Sequence, residues 1–467
     1  MSTQQTQNRA PSKKSTAKKF YIETFGCQMN EYDSLILTKL LEKENGISTR
    51  TPEQADLIVL NTCAVREKAH TKVYNRLRSL EYLQKKGKKI GVIGCMAQNL
   101  REELLYENLP LDFIAGPDSL REIGQYLHGK EAGTHLTLSK TETYEDVIPT
   151  VEHHLNNTEN KITAFVTIQR GCNNFCTFCV VPYTRGRERS RSVQSIVQEV
   201  QNLVDGGIQT VVLLGQNVNS YRYQDTDFVG LVKALLNHTD IERIYFTSPH
   251  PKDYPMELIE LMAENPRFCN QAHIPLQSGS DSVLKRMKRN YTAKEFLSLI
   301  QRFRETVEDV AISTDVIVGF PGETEEDFQQ TLEVMEKAEF DSAFMFAYSE
   351  RKGTIARKRF IDDVPEEVKK RRLNQMIDLQ LKRSKAKNEA YVGKTVSVLV
   401  EAEAKRSSQQ NPQFVGKMRN ARKVVFPTPN EKVTIGDYVN VQIDSASSVT
   451  LFGNFIGKAE KPTLKRV

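Results

Sequence analysis

The stretch that decides the fold is RGCNNFCTFC (Arg170–Cys179), which follows a predicted strand at Ile162–Gln169. Its spacing, C-x3-C-x2-C, places three thiols in one short loop. Three thiolates can bind three irons of a [4Fe-4S] cluster and leave the fourth iron open to a reactant. A structural zinc site would need a fourth ligand, which Cys269 or His273 could supply. We expect the iron–sulfur cluster, because the loop follows the first strand of a βα repeat.

Downstream of this loop, short apolar runs alternate with amphipathic stretches, which is typical of βα units. The predicted strands are Ile162–Gln169, Thr210–Leu214, Arg243–Thr247, Ala272–Pro275, Ile312–Val318 and Ala343–Ala347. The predicted helices between them include Val193–Val204, Phe228–Leu236, Ala293–Arg304 and Glu325–Lys337. Six units are too few for a closed eight-fold barrel, so we expect a partial (β/α)6 barrel. Its ligands should bind at the carboxyl ends of the strands.

Upstream of the loop, a second βα alternation predicts an amino-terminal α/β domain with a parallel sheet. Its strands are predicted at Phe20–Phe25, Leu57–Asn61, Lys89–Ile93 and Phe113–Ala115, and its helices at Glu31–Lys43, Val65–Gln84 and Ser119–Leu127. Cys27, Cys63 and Cys95 each follow the end of one of these strands. The carboxyl ends of parallel strands share one edge, so the three thiols could converge on a second cluster. The alternative is three unrelated buried cysteines.

Towards the carboxyl terminus, a helix with Pro365 near its start gives way to short alternating strands at Thr395–Val400, Val433–Ile435 and Tyr438–Ile443. These strands predict a small antiparallel β-barrel. The whole chain is therefore expected to be α/β with this barrel appended. The predicted division is a disordered tail (1–18), an amino-terminal domain (19–134), a linker (135–157), a central core (158–388), the barrel (389–458) and a basic tail (459–467).

Composition restricts the class of protein. The 467 residues are 39% hydrophobic and 27% charged, which is typical of globular domains with real cores. No apolar stretch is long enough to span a bilayer, and the polar start lacks a secretory signal, so we expect a cytoplasmic protein with no membrane partner. We also expect a monomer. Seven sparse cysteines then indicate reduced thiols rather than disulfides. From residue 391 onward the chain has twelve Lys and Arg but only six Asp and Glu. This excess of positive charge indicates either a polyanion partner or a solvated face.

The cysteine loop and its continuation, VVPYTRGRERSR (Val180–Arg191), resemble the signature of the radical S-adenosylmethionine (SAM) methylthiotransferase family. The blocks TFGCQMNE (Thr24–Glu31), NTCAVRE (Asn61–Glu67) and GCMAQ (Gly94–Gln98) resemble the amino-terminal domain of the same family. The resemblance implies two [4Fe-4S] clusters, one on Cys27, Cys63 and Cys95 and one on Cys172, Cys176 and Cys179. It also implies two SAM molecules, one that methylates sulfur and one that generates a 5′-deoxyadenosyl radical. The SAM contacts it implies are Gln216, Asn217, Asp315, Val316 and Gly319, with no catalytic residue beyond the cluster ligands.

The resemblance also implies the substrate. The run QNVNSY (Gln216–Tyr221) is similar to the branch that converts N6-isopentenyladenosine beside the tRNA anticodon to its 2-methylthio derivative. An inert aromatic C–H bond, C2 of adenine, explains why a radical is needed, and the cofactors carry that chemistry. The sulfur source and electron donor would be external. Sibling branches act on N6-threonylcarbamoyladenosine or on a ribosomal-protein aspartate, and a non-catalytic iron–sulfur or zinc RNA-binding protein is the alternative from another class.

The predicted barrel resembles a TRAM domain, an RNA-binding β-barrel, which implies a grip on the tRNA anticodon stem-loop. Six basic residues would meet phosphates: Lys405, Arg406, Lys417, Arg419, Arg422 and Lys423. Phe414 and Phe426 are candidate stacking faces for bases. One departure stands in the central core, where TSPHP (Thr247–Pro251) carries a proline that the family's Thr-Ser-His-Pro lacks.

Overall fold

The structure is a computed structural model that describes residues 17–64, 67–101, 103–157, 161–252, 254–405, 407–408, 412–429 and 431–467. The predicted tail 1–18 therefore lies almost wholly outside the described residues. The amino-terminal domain is an all-parallel six-stranded sheet in the order β2-β1-β3-β4-β5-β6. Its elements are β1 (Lys19–Phe25), α1 (Gln28–Lys43), β2 (Ile47–Ser48), β3 (Leu57–Thr62), α2 (Glu67–Gln84), β4 (Lys89–Gly94), α3 (Cys95–Leu100), α4 (Glu103–Tyr106), β5 (Phe113–Ala115), α5 (Gly124–Leu127) and β6 (Gly133–His135). Both faces of the sheet are covered by apolar clusters, as the continuous burial of β3 requires.

The predicted linker is a packed segment. It ends in α6 (Val151–Asn157), and Tyr144 and Val147 within it are buried against the amino-terminal domain. The Tyr144 hydroxyl donates to Pro117 O at 2.9 Å and accepts from Leu120 N at 3.0 Å. These contacts fix the path of the chain between the two larger units.

The central core has six parallel strands in two three-stranded sheets, β13-β10-β7 and β14-β15-β16. A parallel bridge between Ile244 and Phe268 joins the sheets, so the predicted partial (β/α)6 barrel is confirmed. Its elements are β7 (Thr163–Thr167), β8 (Gln169–Arg170), α7 (Val181–Thr184), β9 (Arg189–Ser190), α8 (Val193–Asp205), β10 (Thr210–Leu214), β11 (Arg222–Tyr223), β12 (Thr226–Asp227), α9 (Phe228–His238), β13 (Arg243–Phe246), α10 (Met256–Glu264), β14 (Gln271–His273), α11 (Asp281–Arg286), α12 (Ala293–Thr306), β15 (Ala311–Val318), α13 (Glu325–Ala338), β16 (Ser342–Ala347), α14 (Ile355–Arg359) and α15 (Glu366–Glu389).

Local sequence explains where the core helices begin. Thr292 and Thr324 each form a capping box, with Glu295 and Asp327 respectively returning a hydrogen bond to the cap. The main apolar cluster lies between the strands and these outer helices. Alternate residues of the strands therefore point away from the helices, into the open interior of the partial barrel.

The carboxy-terminal domain is a closed five-stranded barrel in the order β17-β18-β19-β21-β20, as predicted. Its strands are β17 (Thr395–Glu403), β18 (Gln413–Lys417), β19 (Lys423–Pro427), β20 (Tyr438–Ala446) and β21 (Leu451–Lys458). The prediction of a strand at Val433–Ile435 is wrong. That segment runs into a turn in which Asp437 N donates to Thr434 O and Thr434 N donates to the Asp437 carboxylate.

Four buried arginines between residues 170 and 191 join the central core to the amino-terminal domain. We call these residues, Arg170, Arg185, Arg189 and Arg191, the arginine strap. Within it, Arg170 and Arg185 bind the two oxygens of Asp33 at 2.6 and 2.7 Å, and Arg189 binds Asp118 at 2.8 Å. The fourth, Arg191, donates to the Tyr32 hydroxyl at 3.0 Å and to Glu199 at 2.6 Å.

The basic tail at residues 459–467 docks on the central core. Lys461 pairs with Glu242 at 2.8 Å, and Arg466 donates to Thr239 O at 2.6 Å. Across the stretches of chain that the structure covers, no helix combines the length and apolar character needed to cross a bilayer.

Candidate active site

The structure brings Cys27, Cys63 and Cys95 together, as strand-end placement predicted. They follow β1, β3 and β4, which are neighbours in the sheet. The Cys63 thiol donates a hydrogen bond to Cys27, and Cys95 interacts electrostatically with Cys27. We call these three residues the first trio. Cys27 is exposed and interacts with both other thiols, which argues against the interpretation as three unrelated buried cysteines.

Close packing beside the first trio depends on glycine. A Cβ on Gly26 would stand 2.8 Å from Cys63 Cβ. A Cβ on Gly94, whose φ is +91°, would stand 2.6 Å from Asn61 Oδ1. Glycine before Cys27 and Cys95 therefore allows the thiols to approach one another.

Two buried asparagines, whose roles the sequence did not reveal, join the loops that carry the first trio. Asn30 Nδ2 donates to Asn61 Oδ1 at 2.9 Å, and Asn61 Nδ2 donates to Asn30 O at 2.8 Å. Cys27 Sγ lies 3.3 Å from Asn30 Oδ1. Their positions, three residues after Cys27 and two before Cys63, were the available signal.

The thiols of the first trio differ in acidity. The hydrogen bond from Cys63 and the positive charge of Arg185 lower the pKa of Cys27 to about 6, against the effect of burial. Burial raises the pKa of Cys95, although Arg185 acts in the opposite direction. A partly exposed thiolate beside two further thiols is a natural first ligand for metal.

Cys172, Cys176 and Cys179 lie in the loop between β8 and α7 and interact electrostatically with one another. We call them the second trio. Gly171 opens this loop at a φ of +81°, where a Cβ would meet Arg187 O at 2.0 Å, so only glycine fits. Burial raises the pKa of Cys172 to about 11 and of Cys179 to about 12. A bound metal would offset this effect, because metal ions stabilise the thiolate form.

Each trio suits a cluster with one open iron better than a single closed metal ion. Cys269 is buried elsewhere, with its thiol 3.9 Å from Arg267 O, so it completes neither trio. His273 is held at both ring nitrogens, by Ser313 at 3.0 Å and Asp315 at 3.2 Å. Among the described residues, no three His, Cys, Asp or Glu side chains approach closely enough to hold one ion. Thiolates that bind separate irons of a cluster do not need that proximity.

The stretch after β10 lies directly against the second trio's loop. The Gln216 side chain accepts a hydrogen bond from Gly171 N. Asn217 is buried, and its side chain donates to Glu188 at 3.4 Å while its Oδ1 has no hydrogen-bond partner among the described residues. These two predicted SAM contacts therefore border the cysteine loop.

The predicted contacts on β15 divide between its two faces. Asp315 points into the interior of the partial barrel, beside His273. Val316 is fully buried in the cluster between strands and helices, so it could contact SAM only through its backbone atoms, and its role stays a prediction. Gly319 follows the strand, where its N–H donates to Glu323 at 2.9 Å and Lys369 covers its Cα.

The same interior face carries two exposed aromatic rings that sequence reasoning missed. Phe344 pairs with Asp315 in the register of β15 and β16, and Phe346 pairs with Ile317. Paired residues of parallel strands share a face, so both rings point inward. Phe344 is 55% exposed and Phe346 is 41% exposed, and the ring of His273 lies 5.9 Å from that of Phe344. Burial alternation along β16 could not have been read from SAFMFA, in which most residues are apolar.

The barrel's predicted RNA contacts also divide. Lys405 and Lys423 are exposed, Lys417 pairs with Glu401 at 2.9 Å, and Arg406 lies outside the described residues. Arg419 instead donates to four carbonyls of the central core, including Met262 O at 2.7 Å and Phe268 O at 2.8 Å.

Arg422 is likewise directed inward, where it pairs with Asp341 and stacks on Tyr391. The prediction that Arg419 and Arg422 meet phosphates is therefore corrected, because both are used to hold the barrel on the core. Phe414 and Phe426 are buried in the barrel interior, so neither is a stacking face.

Comparison with known proteins matches each unit of the chain. Residues 166–335 match the Radical SAM superfamily, residues 19–116 match Uncharacterized protein family UPF0004, and residues 389–456 match the TRAM domain. The chain is 45% identical over 458 residues to a tRNA-2-methylthio-N(6)-dimethylallyladenosine synthase of Porphyromonas gingivalis strain W83, covering 96% of each. It is 42% identical over 473 residues to the protein of the same name from Christiangramia forsetii, again covering 96% of each.

Among solved structures, the chain is similar to the radical S-adenosylmethionine methyltransferase TsrM from Kitasatospora setae, with cobalamin and a [4Fe-4S] cluster bound. The TM-score is 0.51 at 13% identity, over 71% of this chain and 75% of that one. At this level of identity the likeness concerns the fold alone.

Proposed function

The chain belongs to the tRNA-2-methylthio-N6-dimethylallyladenosine synthase family of radical SAM methylthiotransferases, and we propose that it converts N6-isopentenyladenosine beside the tRNA anticodon to 2-methylthio-N6-isopentenyladenosine. The observation that carries the proposal is the presence of two separate thiol trios in one chain. One sits at the edge of a parallel sheet, and the other follows the first strand of a partial barrel. A simpler iron–sulfur RNA-binding protein would have no need of the second site.

In this proposal both trios are cluster ligands. Cys27, Cys63 and Cys95 hold the cluster that carries sulfur, and Cys172, Cys176 and Cys179 hold the cluster that binds SAM. When bound, the two clusters and SAM supply a methylated sulfur and a radical able to abstract hydrogen from C2 of adenine. The protein's own residues place the reactants and exclude water.

SAM would lie along the carboxyl ends of the central strands. Gln216 and Asn217 border the cysteine loop, and the unpartnered Asn217 Oδ1 supports a polar ligand there. Asp315 would face the ligand from the interior, while Val316 and Gly319 could contribute only through their backbone atoms. Each predicted domain then has one role: residues 19–134 deliver sulfur, residues 158–388 generate the radical, and residues 389–458 bind RNA.

The adenine must leave its stack to reach the radical. Phe344 and Phe346 offer exposed rings on the interior face, and stacking on aromatic side chains is how proteins commonly hold splayed RNA bases. Their apolar surface also suits an isopentenyl group better than a charged threonylcarbamoyl group. This contrast favours the proposed branch over its sibling.

The tRNA would be held by the barrel through the exposed Lys405 and Lys423, and through Lys417, which lies at the surface in an ion pair with Glu401. Anionic phosphates of the anticodon stem-loop are the expected partners. The proposal further takes the protein as a cytoplasmic monomer that draws electrons and sulfur from external donors.

Iron and sulfide analysis after anaerobic reconstitution tests the cluster assignment. The triple variant Cys27→Ala, Cys63→Ala, Cys95→Ala should keep about half of the wild-type iron, because one of two similar clusters is lost. Cys269→Ala, which removes a buried thiol outside both trios, should keep all of it. Wild-type protein with one cluster, or with zinc, would overturn the assignment.

Nucleoside analysis of tRNA from a deletion strain tests the substrate. Loss of 2-methylthio-N6-isopentenyladenosine, restored by the wild-type gene but not by either triple cysteine variant, is the expected result. Loss of the threonylcarbamoyl derivative instead would assign the chain to the sibling branch.

A further inference from the structure

Each cysteine trio has one buried arginine that donates a hydrogen bond to a thiol sulfur. Arg185 Nε lies 3.1 Å from Cys95 Sγ in the first trio. Arg289 Nη1 lies 3.4 Å from Cys176 Sγ in the second. Both guanidinium groups are buried, so water does not screen them from the sulfur atoms.

The charge of Arg185 is compensated. Its Nη2 pairs with Asp33 at 2.7 Å, and Asp33 also pairs with Arg170 at 2.6 Å. Arg170 in turn approaches Glu142 at 3.5 Å. Two arginines therefore face two carboxylates, and the group as a whole adds little net charge beside the first trio.

The charge of Arg289 is not compensated in this way. Its other hydrogen bonds go to neutral atoms, the Tyr291 hydroxyl at 3.1 Å and Pro275 O at 3.2 Å. Within the ranges that the structure covers, no salt bridge joins Arg289 to a carboxylate. A full positive charge thus stands beside the second trio in an environment of low dielectric constant.

Reduction by one electron makes an iron–sulfur cluster more negative, and hydrogen bonds and positive charge beside its sulfurs stabilise that reduced state. We propose that Arg185 and Arg289 set the reduction potentials of the two clusters separately, and that Arg289 has the larger effect. The proposal rests on the proposed function, because it requires each trio to hold a cluster. It assigns both arginines as tuning residues that act through a thiolate, not as groups that contact a substrate.

The test measures each cluster alone in the full-length chain. The Cys27→Ala, Cys63→Ala, Cys95→Ala variant retains the second trio, and the Cys172→Ala, Cys176→Ala, Cys179→Ala variant retains the first. Each is reconstituted anaerobically with iron and sulfide and titrated with dithionite, while electron paramagnetic resonance reports the reduced cluster.

Arg289→Gln should move the midpoint potential of the second-trio cluster to more negative values. Arg185→Gln should move that of the first-trio cluster in the same direction by a smaller amount. Each substitution should leave the other cluster's potential unchanged, which makes the pair mutual controls. Lysine at either position keeps the positive charge but lacks the planar guanidinium group. It should give a midpoint potential between those of the parent and the glutamine variant.

The outcomes separate the two proposals. If neither background binds iron, the proposed function fails. If iron binds but both glutamine variants keep the parent's potential, or if Arg185→Gln gives the larger shift, the inference is overturned and the function stands. If the Arg289→Gln variant binds no iron, the Arg289→Lys variant is measured in its place. A midpoint potential of its second-trio cluster equal to that of the parent protein would overturn the inference.

Discussion

Glu199→Gln should destabilise the contact between the central core and the amino-terminal domain. The Glu199 carboxylate is fully buried, 2.6 Å from Arg191 Nη1 and 2.9 Å from the Tyr32 hydroxyl. Glutamine keeps the volume but removes the negative charge, so a buried guanidinium is left without a counter-charge. Breaking a buried pair in this way costs about 3–5 kcal/mol.

Three hydrogen bonds of Arg191 remain, to Thr167 O and Ser195 Oγ at 2.8 Å and to the Tyr32 hydroxyl at 3.0 Å, and should keep the loss in the lower part of that range. For a unit of this size, each kcal/mol corresponds to roughly 2–4 °C in Tm. We therefore expect the first thermal transition of the full-length, iron-free chain to fall by roughly 10 °C. Circular dichroism or calorimetry would follow it.

Two further variants separate charge burial from simple loss of a contact. Glu81→Gln removes the exposed ion pair with Lys85 and should change stability by less than about 0.5 kcal/mol. Adding Arg191→Met to Glu199→Gln removes the unpaired charge and should restore at least half of the lost stability. A Glu199→Gln protein that melts within about 2 °C of wild type would refute the reasoning.

Three other outcomes are expected. Phe344→Ala should lower the yield of methylthiolated nucleoside at limiting tRNA at least about fivefold, because stacking stabilises a bound base by about 1–3 kcal/mol. SAM cleavage measured without RNA should stay unchanged. An unchanged nucleoside yield would show that this ring is not part of the substrate site. Lys423→Gln should weaken RNA binding and reduce the salt dependence of binding by about one phosphate contact. Arg419→Gln should instead lower Tm and leave the salt dependence of RNA binding unchanged. The reverse pattern would show that Arg419 contacts RNA. Burial lowers the pKa of His250 to about 3, so the unfolded chain binds a proton first and about 2 kcal/mol of stability should be lost as the pH falls from 7 to 5. Denaturant titrations of wild type and His250→Gln would check this, since the variant should lack that part of the pH dependence.

The sequence predicted the parts of the site that depend on strand ends. Cys27, Cys63 and Cys95 each follow an apolar run, and the geometry of a parallel sheet alone brings such positions to one edge. The second trio needed only local spacing. The carboxy-terminal barrel followed from alternation and turns, apart from Val433–Ile435, where the side chain of Asp437 favours a turn over strand pairing.

The features that the sequence did not reveal depend on contacts between distant residues. Asp33 and Arg170 stand 137 residues apart, and Tyr32 and Glu199 stand 167 apart, so no local pattern links them. Arginine is a residue type that commonly contacts phosphates, but the neighbours of Arg419 in space are core carbonyls about 150 residues earlier in the chain. Val316 was placed by motif alone, although its neighbours in β15 alternate between the two faces of the sheet.

The arginine strap has a bearing on how such enzymes can be recombined. Its four arginines lie between residues 170 and 191, while Asp33 and Asp118 lie in the amino-terminal domain. A chimaera that joined one relative's amino-terminal half to another's catalytic half would inherit donors and acceptors from different parents. Unless both parents kept the same four pairings, the hybrid would bury orphaned ions at its seam, so these two halves must be exchanged together or redesigned as a matched set.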